Sequence, residues 1–163
     1  SVDVKRLSPE VFRVFGTQNA LLTAGDRVKC NTMTIGWCQL GCVWNLPTCT
    51  VYVRPERYTY EFMEAQDTFS VSVLPDSARD IARLCGTRSG REVDKVKECG
   101  FTVAQAECGA PYFEEAELVL VCRKRYAQEM DPQAIPQDAK DRFYPEKDYH
   151  TMYIGEVVEA LRE

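Results

Sequence analysis

Histidine is nearly missing from this chain: its 163 residues include one, His150. With no second imidazole and no CxxC pair, a zinc centre has a poor ligand set, and no serine or cysteine motif beside His150 suggests a nucleophilic triad. The P-loop spacing G-x-x-x-x-G-K-[ST] is absent. No apolar run comes near the roughly 18 residues that a spanning helix needs. The opening SVDVKRLSPE has no apolar stretch after its basic pair, so it does not read as a signal peptide. Nor is there an excess of base: 20 Lys and Arg against 25 Asp and Glu leave a net charge of −5, which gives no general pull toward nucleic acid or an anionic membrane. Repeats, low-complexity tracts and dividing linkers are missing too. The expectation is one cytoplasmic domain over 1–163.

What is present fits a globular chain. Hydrophobic residues make up 45% and charged residues 28%, near the averages for soluble domains, which argues against disorder. A chain of this length buries roughly 68–70% of its unfolded surface, so no metal or disulfide staple is required. Eight cysteines stand at 30, 38, 42, 49, 85, 99, 108 and 122. A disulfide framework needs a secretory context, so they read as reduced, mostly buried thiols in a reducing cytosol. Cys38 and Cys42, with three residues between them on a strand, are a weak ligand pair.

The apolar pattern is mainly that of strands. ALLTAG (Ala20 to Gly25) and NTMTIGW (Asn31 to Trp37) read as two strands joined by a polar turn. TCTVYVR (Thr48 to Arg54) alternates β-branched residues after Pro47. TFSVSVL (Thr68 to Leu74) sets Phe69, Val71 and Val73 on one face and Ser70 and Ser72 on the other. AELVLVCRKRYA (Ala116 to Ala127) starts apolar on both faces. HTMYIGEVVEAL (His150 to Leu161) holds Gly155, which suggests a bulge or a close backbone approach. A weaker strand runs from Phe101. Three short helices are expected between them: one capped by Thr59 through Ala65, one opened by Ser77 and Asp80 to about Leu84, and one opened by the S-x-x-E box of Ser89 and Glu92 and stopped by Gly100. Six or seven strands with a few short helices predict a mostly antiparallel β-barrel.

Four places bear chemistry. RPERYT (Arg54 to Thr59) ends a strand where a helix begins, and Arg54, Arg57 and the Thr59 hydroxyl beside unpaired helix amides suit a terminal phosphate. Equally open is that both arginines pair with Glu56 and Glu61 on the surface. NTMTIGWCQLGCVW, with Asn31 and two tryptophans seven apart, suits a flat heterocycle; Trp37 and Trp44 also read as core or interface aromatics. LCGTRSGREVDKVKECG offers glycines, Arg88, Ser89 and Arg91 for a second anion, or else a loop followed by a solvated helix with Lys95 and Lys97 outward. In KDYHTMYIGEV, His150 is a structural histidine or a site residue.

In this order, NTMTIGW, WNLPTCTVYVRPERYTYEF, TFSVSVLP, LCGTRSGREVDK and YPEKDYHTMYIGEVVE resemble the flavin reductase-like family of FMN-binding split barrels, and within it the flavoredoxin-type branch, over about Gly16 to Glu159. The resemblance implies a six-stranded antiparallel Greek-key split barrel that forms a homodimer and binds one FMN per subunit. It implies that Asn31, Thr32, Met33, Thr34 and Trp37 line the isoalloxazine. Arg54, Arg57 and Thr59 would hold the phosphate, and Ser89 and Lys95 would lie in a loop that closes over the flavin. Lys95 and His150 are the implied catalytic pair, His150 beside flavin or nicotinamide. Two stretches depart from the family: FGTQNALLTAG (Phe15 to Gly25) replaces a proline- and valine-rich half-strand, and SVSVLP replaces a small-residue stretch.

Two functions from different classes follow. One is an oxidoreductase that passes electrons from NAD(P)H or a redox partner through bound FMN; the other is an electron carrier without a nicotinamide site of its own. A thiol-based module built on Cys38 and Cys42 is a third.

Overall fold

A computed structural model describes residues 1–6 and 10–163. Its strands are β1 (Ala20–Gly25), β2 (Cys30–Ile35), β3 (Cys38–Val43), β4 (Leu46–Val53), β5 (Thr68–Val73), β6 (Val103–Gln105), β7 (Pro111–Phe113), β8 (Leu118–Glu129) and β9 (Thr151–Arg162). The helices are α1 (Val11–Arg13), which runs on into a π-helical turn (Val14–Gln18), α2 (Tyr58–Ala65), α3 (Arg79–Thr87), α4 (Lys95–Cys99) and α5 (Gln137–Phe143). No helix among the described residues is long and apolar enough to cross a membrane.

Seven strands form one antiparallel sheet in the order β2-β1-β5-β8-β9-β4-β3, and β6 and β7 form a separate hairpin. β2 and β3 are the two edges, yet Gly36 and Trp37 alone join them. A flat sheet with six spacings of about 4.8 Å would set its edges about 29 Å apart. Three peptide units reach about 11 Å. The sheet therefore rolls until its edges face each other, which is the split barrel; no ladder closes it among the described residues. The expected count of six becomes seven because β3 joins the main sheet. As an edge strand it is only half-covered: Cys38 and Leu40 pack against the barrel core, but no residue of Cys38–Val43 is fully buried, so its apolar alternation is weak.

The rolled sheet makes two cores. Phe69, Val71 and Val73 of β5 meet Leu118, Leu120 and Cys122 of β8, with Val51, Val53 and Tyr153, inside the roll. The opposite face of β8, Val119 and Val121, packs with Leu21, Cys85, Phe101 and Phe113 beneath the helices and the small hairpin. That second layer is why β8 begins apolar on both faces. It also buries Ser70, whose hydroxyl donates to the Pro111 carbonyl at 2.6 Å. Removing a buried ring such as Phe69 costs about 3–5 kcal/mol. Gly155 makes the close approach expected of it: a Cβ there would lie 2.5 Å from Phe69 Cζ, and the β8–β9 register shifts between Lys124 and Tyr126 beside it.

The strands match their expected places to within a few residues; the helix starts do not. α2 begins at Tyr58, with Arg57 before it and Thr59 already inside the first turn. α3 begins at Arg79 after a 3-10 turn (Asp76–Ala78) and runs to Thr87, so Ser77 does not cap it. Ser89 closes a turn instead of opening a helix: its Oγ accepts from Arg91 N, and its carbonyl accepts from Glu92 N and Val93 N. α4 starts later, capped by Asp94, whose carboxylate accepts from Lys97 N at 3.2 Å. It ends at Gly100 as expected, with φ +68°.

Candidate functional site

The end of β4 delivers the chain into α2, and β2 runs beside that helix. Asn31 Nδ2 donates to Thr59 Oγ1 at 2.8 Å, and both residues are buried. As in any helix, the first amides of α2 have no partner within it; those of Tyr58 and Thr59 find no acceptor among the described residues. Arg57 stands just before them. Its half-buried guanidinium makes no hydrogen bond or ion pair among the described residues, and burial lowers its pKa, with Arg54 adding to the effect. A cationic group held there without a partner is an anion site in waiting.

Facing α2 is the segment that links α3 to α4. Arg57, Thr59, Thr87, Arg88 and Ser89 line a cleft of about 220 Å³. The segments RPERYT and GTRSGR, read separately as candidate anion pockets, thus face one cleft. A second cleft, of about 400 Å³, adjoins it between the β1–β2 turn, Tyr58 and Phe62 of α2, and residues 90–96. Asn31, Tyr58, Gly90 and Lys95 line both. Gly90 makes that junction possible: a Cβ there would overlap Asn31 Oδ1 and reach 2.9 Å from Tyr58 Cδ2.

Lys95 does not point to solvent. It is 4% exposed, and its Nζ donates to the Thr32 carbonyl at 2.7 Å and the Cys85 carbonyl at 2.8 Å. An ammonium has three donors, so one remains for the clefts. Burial, with Arg57 adding, lowers its pKa to about 8, partly opposed by Cys85 and Cys99.

A second group lies around His150. The ring is buried, its Nδ1 is 2.7 Å from the Tyr144 hydroxyl, and Trp37 packs on it at 4.8 Å between centroids. Burial, reinforced by Arg54, lowers its pKa to about 4, so the imidazole is neutral at pH 7. Arg54 donates to Asp148 Oδ2 at 2.8 Å and to the Phe143 carbonyl at 2.9 Å, and its guanidinium lies over the Tyr144 ring. Trp37, Tyr52, Met130 and Tyr144 border a third cleft of about 320 Å³.

Residues 12–163 match the family model described as flavin reductase like domain. This chain belongs to the flavin reductase-like family. Among solved structures, a flavoredoxin from Methanosarcina acetivorans is similar at TM-score 0.73 and 27% identity, over 90% of this chain and 68% of that one. A flavoredoxin of Desulfovibrio vulgaris is similar at 0.71 and 23%, over 90% and 70%. An NADH:FAD oxidoreductase of Streptomyces globisporus, in complex with NAD and FAD fragments, is similar at 0.67 and 23%, over 100% and 86%. No curated protein matches the chain.

The flavin reductase-like chain thus sorts its expected site residues into sets. Asn31, Thr32, Arg57, Thr59, Ser89 and Lys95 line the two joined clefts. Trp37, Arg54 and His150 form the second group and line neither. Met33 is in the barrel core, and Thr34 packs against Gly86 of α3, where a Cβ would come within 3.2 Å of the threonine Cβ. The surface pairing open to RPERYT is not formed: Arg54 pairs with Asp148, and Glu61 pairs with Arg91 at 3.0 Å. Trp37 and Trp44 are both exposed and not core aromatics. Of the eight thiols, all free, three are buried, four are half-buried and Cys42 is exposed. Tyr58, Phe62 and Tyr144 are not singled out by the sequence, although each lies within a motif quoted above: Tyr58 in RPERYT, Phe62 at the end of WNLPTCTVYVRPERYTYEF and Tyr144 at the start of YPEKDYHTMYIGEVVE.

Proposed function

We propose that this single-domain chain is an FMN-binding oxidoreductase that passes electrons from NAD(P)H or a redox partner through the flavin. The observation that carries this reading is Arg57, a half-buried cation that has no partner among the described residues, beside Thr59, Ser89 and two helix amides without an acceptor there. That set suits the dianionic phosphate of FMN. The larger cleft, walled by Tyr58 and Phe62, has room and a planar surface for a ring system. Gly90 supports the fit, since a side chain there would push against Asn31 and Tyr58, which line both clefts.

FMN, when bound, supplies the hydride and electron chemistry; the protein binds, orients and tunes. Asn31, fixed by Thr59, presents its Oδ1 as an acceptor at the junction. The remaining donor of Lys95 stabilises negative charge in the clefts, and it does so without reorganising, because two carbonyls already hold it. His150, neutral and buried, serves to hold Tyr144 and Trp37 at the edge of the third cleft, where a nicotinamide or acceptor would bind, and not to transfer protons. The exposed Trp37, Trp44 and Phe143 support a homodimer, and eight free thiols suit the cytoplasm.

The electron-carrier reading has one observation of its own. The similar structure with the highest identity of those described is a flavoredoxin. One experiment separates the two: an anaerobic absorption spectrum of the FMN-reconstituted, desalted protein, before and after NADH and then NADPH. Retained flavin absorbance that bleaches quickly supports the nicotinamide-dependent enzyme. Retained absorbance that bleaches only with a protein reductant supports the carrier. Loss of the flavin on desalting overturns tight FMN binding in either form.

A further inference from the structure

Two of the thiols lie at the two ends of the segment that carries the clefts. Cys85, in α3, and Cys99, the last residue of α4, have their sulfurs 3.8 Å apart. Between them along the chain are Arg88, Ser89, Gly90 and Lys95. Lys95 already ties the same two ends from inside, through its bond to the Cys85 carbonyl. We propose that Cys85 and Cys99 form a reversible disulfide that closes residues 85–99 into a ring and slows release of whatever occupies the clefts. The effect on FMN rests on the reading above; the bond itself does not.

The geometry favours this pair over those within the sheet, Cys38–Cys49 and Cys49–Cys122. Cys38 and Cys49 have sulfurs 3.5 Å apart, but they sit at fixed positions of the β3–β4 ladder, Cys38 opposite Val51 and Cys49 opposite Leu40. No ladder fixes the ends of α3 and α4. A disulfide is about 2.05 Å long, so the sulfurs must close by about 1.8 Å, within reach of side-chain rotation. Cys85 is buried, whereas Cys99 is half-buried and so the more accessible of the two. The order of events follows from that.

With oxidised glutathione as the oxidant, the Cys99 thiolate attacks one glutathione sulfur. A Cys99–glutathione bond forms, the glutathione S–S bond breaks, and the first glutathione leaves as thiolate. Cys85 then attacks the Cys99 sulfur and displaces the second. Two protein thiols become one disulfide and one glutathione disulfide becomes two thiols, with the two thiol protons passed to solvent or to the departing thiolates. Burial raises the pKa of both thiols, that of Cys85 to about 12, and the charge of Lys95, at the start of α4, partly offsets this at each. The product restricts the 85–99 segment in the apoprotein as well as in the loaded form, which is how preorganisation slows ligand loss.

The test uses the whole chain, reduced or equilibrated with oxidised glutathione, with Cys99→Ser as control. Non-reducing peptide mapping should show a Cys85–Cys99 link that dithiothreitol removes and that Cys99→Ser lacks. Hydrogen exchange of residues 86–98 in the apoprotein should slow by about threefold or more on oxidation. FMN dissociation, followed by flavin fluorescence after dilution, should slow by a similar factor. Absence of the link, or a link with unchanged exchange, overturns the proposal. A link with slowed exchange in a protein that binds no FMN in either state leaves the latch standing and sinks the FMN reading instead. FMN that binds and leaves equally fast from both states removes the effect on release.

Discussion

Asn31 and Thr59, on a strand and a helix that are not neighbours in the chain, share a buried hydrogen bond of 2.8 Å at the junction of the two clefts. The bond fixes the start of β2 against the first turn of α2, so wall and floor of the site move as one piece. Thr59→Val keeps the shape and removes the acceptor, which leaves the Asn31 amide unsatisfied. A loss of about 1–2 kcal/mol in urea unfolding is expected. FMN affinity should fall with it, and Asn31→Ala in the Thr59→Val background should add little.

The two arginines of RPERYT should separate cleanly. Arg57 has no partner among the described residues, so Arg57→Ala should leave stability unchanged or slightly raised and weaken FMN binding at least tenfold. Arg54 holds Asp148 and the Phe143 carbonyl. Arg54→Ala should cost about 1–2 kcal/mol and change FMN affinity less than Arg57→Ala does. Equilibrium unfolding and a fluorescence titration of each variant decide the matter. Equal effects on FMN would show that Arg54 also reaches the phosphate.

His150 makes stability depend on pH in a window that it alone sets among imidazoles. Its folded pKa is about 4 against an ordinary 6.5. Between those values the unfolded chain takes up a proton that the folded one refuses, so stability is full above about 6.5 and is lost as pH falls toward 4. The loss is on the order of 3 kcal/mol. With one histidine in the chain, a single imidazole NMR resonance follows the titration directly. His150→Phe should flatten that part of the stability profile, and a midpoint near 6.5 in the folded protein would contradict the burial described here.

Trp44 and Asn45 join β3 to β4 as a two-residue turn, both with positive φ, 52° and 58°. That is the left-handed pair which Asn-Gly fills without strain and a bulky residue fills poorly. Trp44→Asn with Asn45→Gly should raise stability by about 1 kcal/mol in chemical denaturation. If Trp44 serves at an interface between two copies, the same change should also weaken self-association in sedimentation.

The long strands are legible in the sequence because each has one face in the barrel core: Phe69, Val71 and Val73 alternate with serines as a sheet demands. β3 is not legible, since an edge strand that lays only Cys38 and Leu40, both half-buried, on the core writes a weak apolar pattern. The helix starts at Ser77 and Ser89 mislead for a physical reason. Short hydroxyl side chains serve local turns as readily as helix caps, and Ser89 does just that with Arg91 N. In the site, Arg57 and Thr59 can be read from a strand running into a helix. The burial of Lys95 cannot be read from a K-x-K pattern that suits a solvated face equally well. Arg54 finds its partner in Asp148, far along the chain, and no local spacing announces such a pair.

β9 lies between β8 and β4, near the middle of the sheet. Thr48 of β4 pairs with Glu156, and nothing nearer in the chain than β9 supports β4 on that side. The β3–β4 hairpin must therefore wait, with one edge unpaired, while more than half the chain finds its place. Contacts of such long range set a slow folding rate, and an unpaired edge is where a growing chain aggregates. For this protein the hazard during synthesis ends only when β9 is inserted.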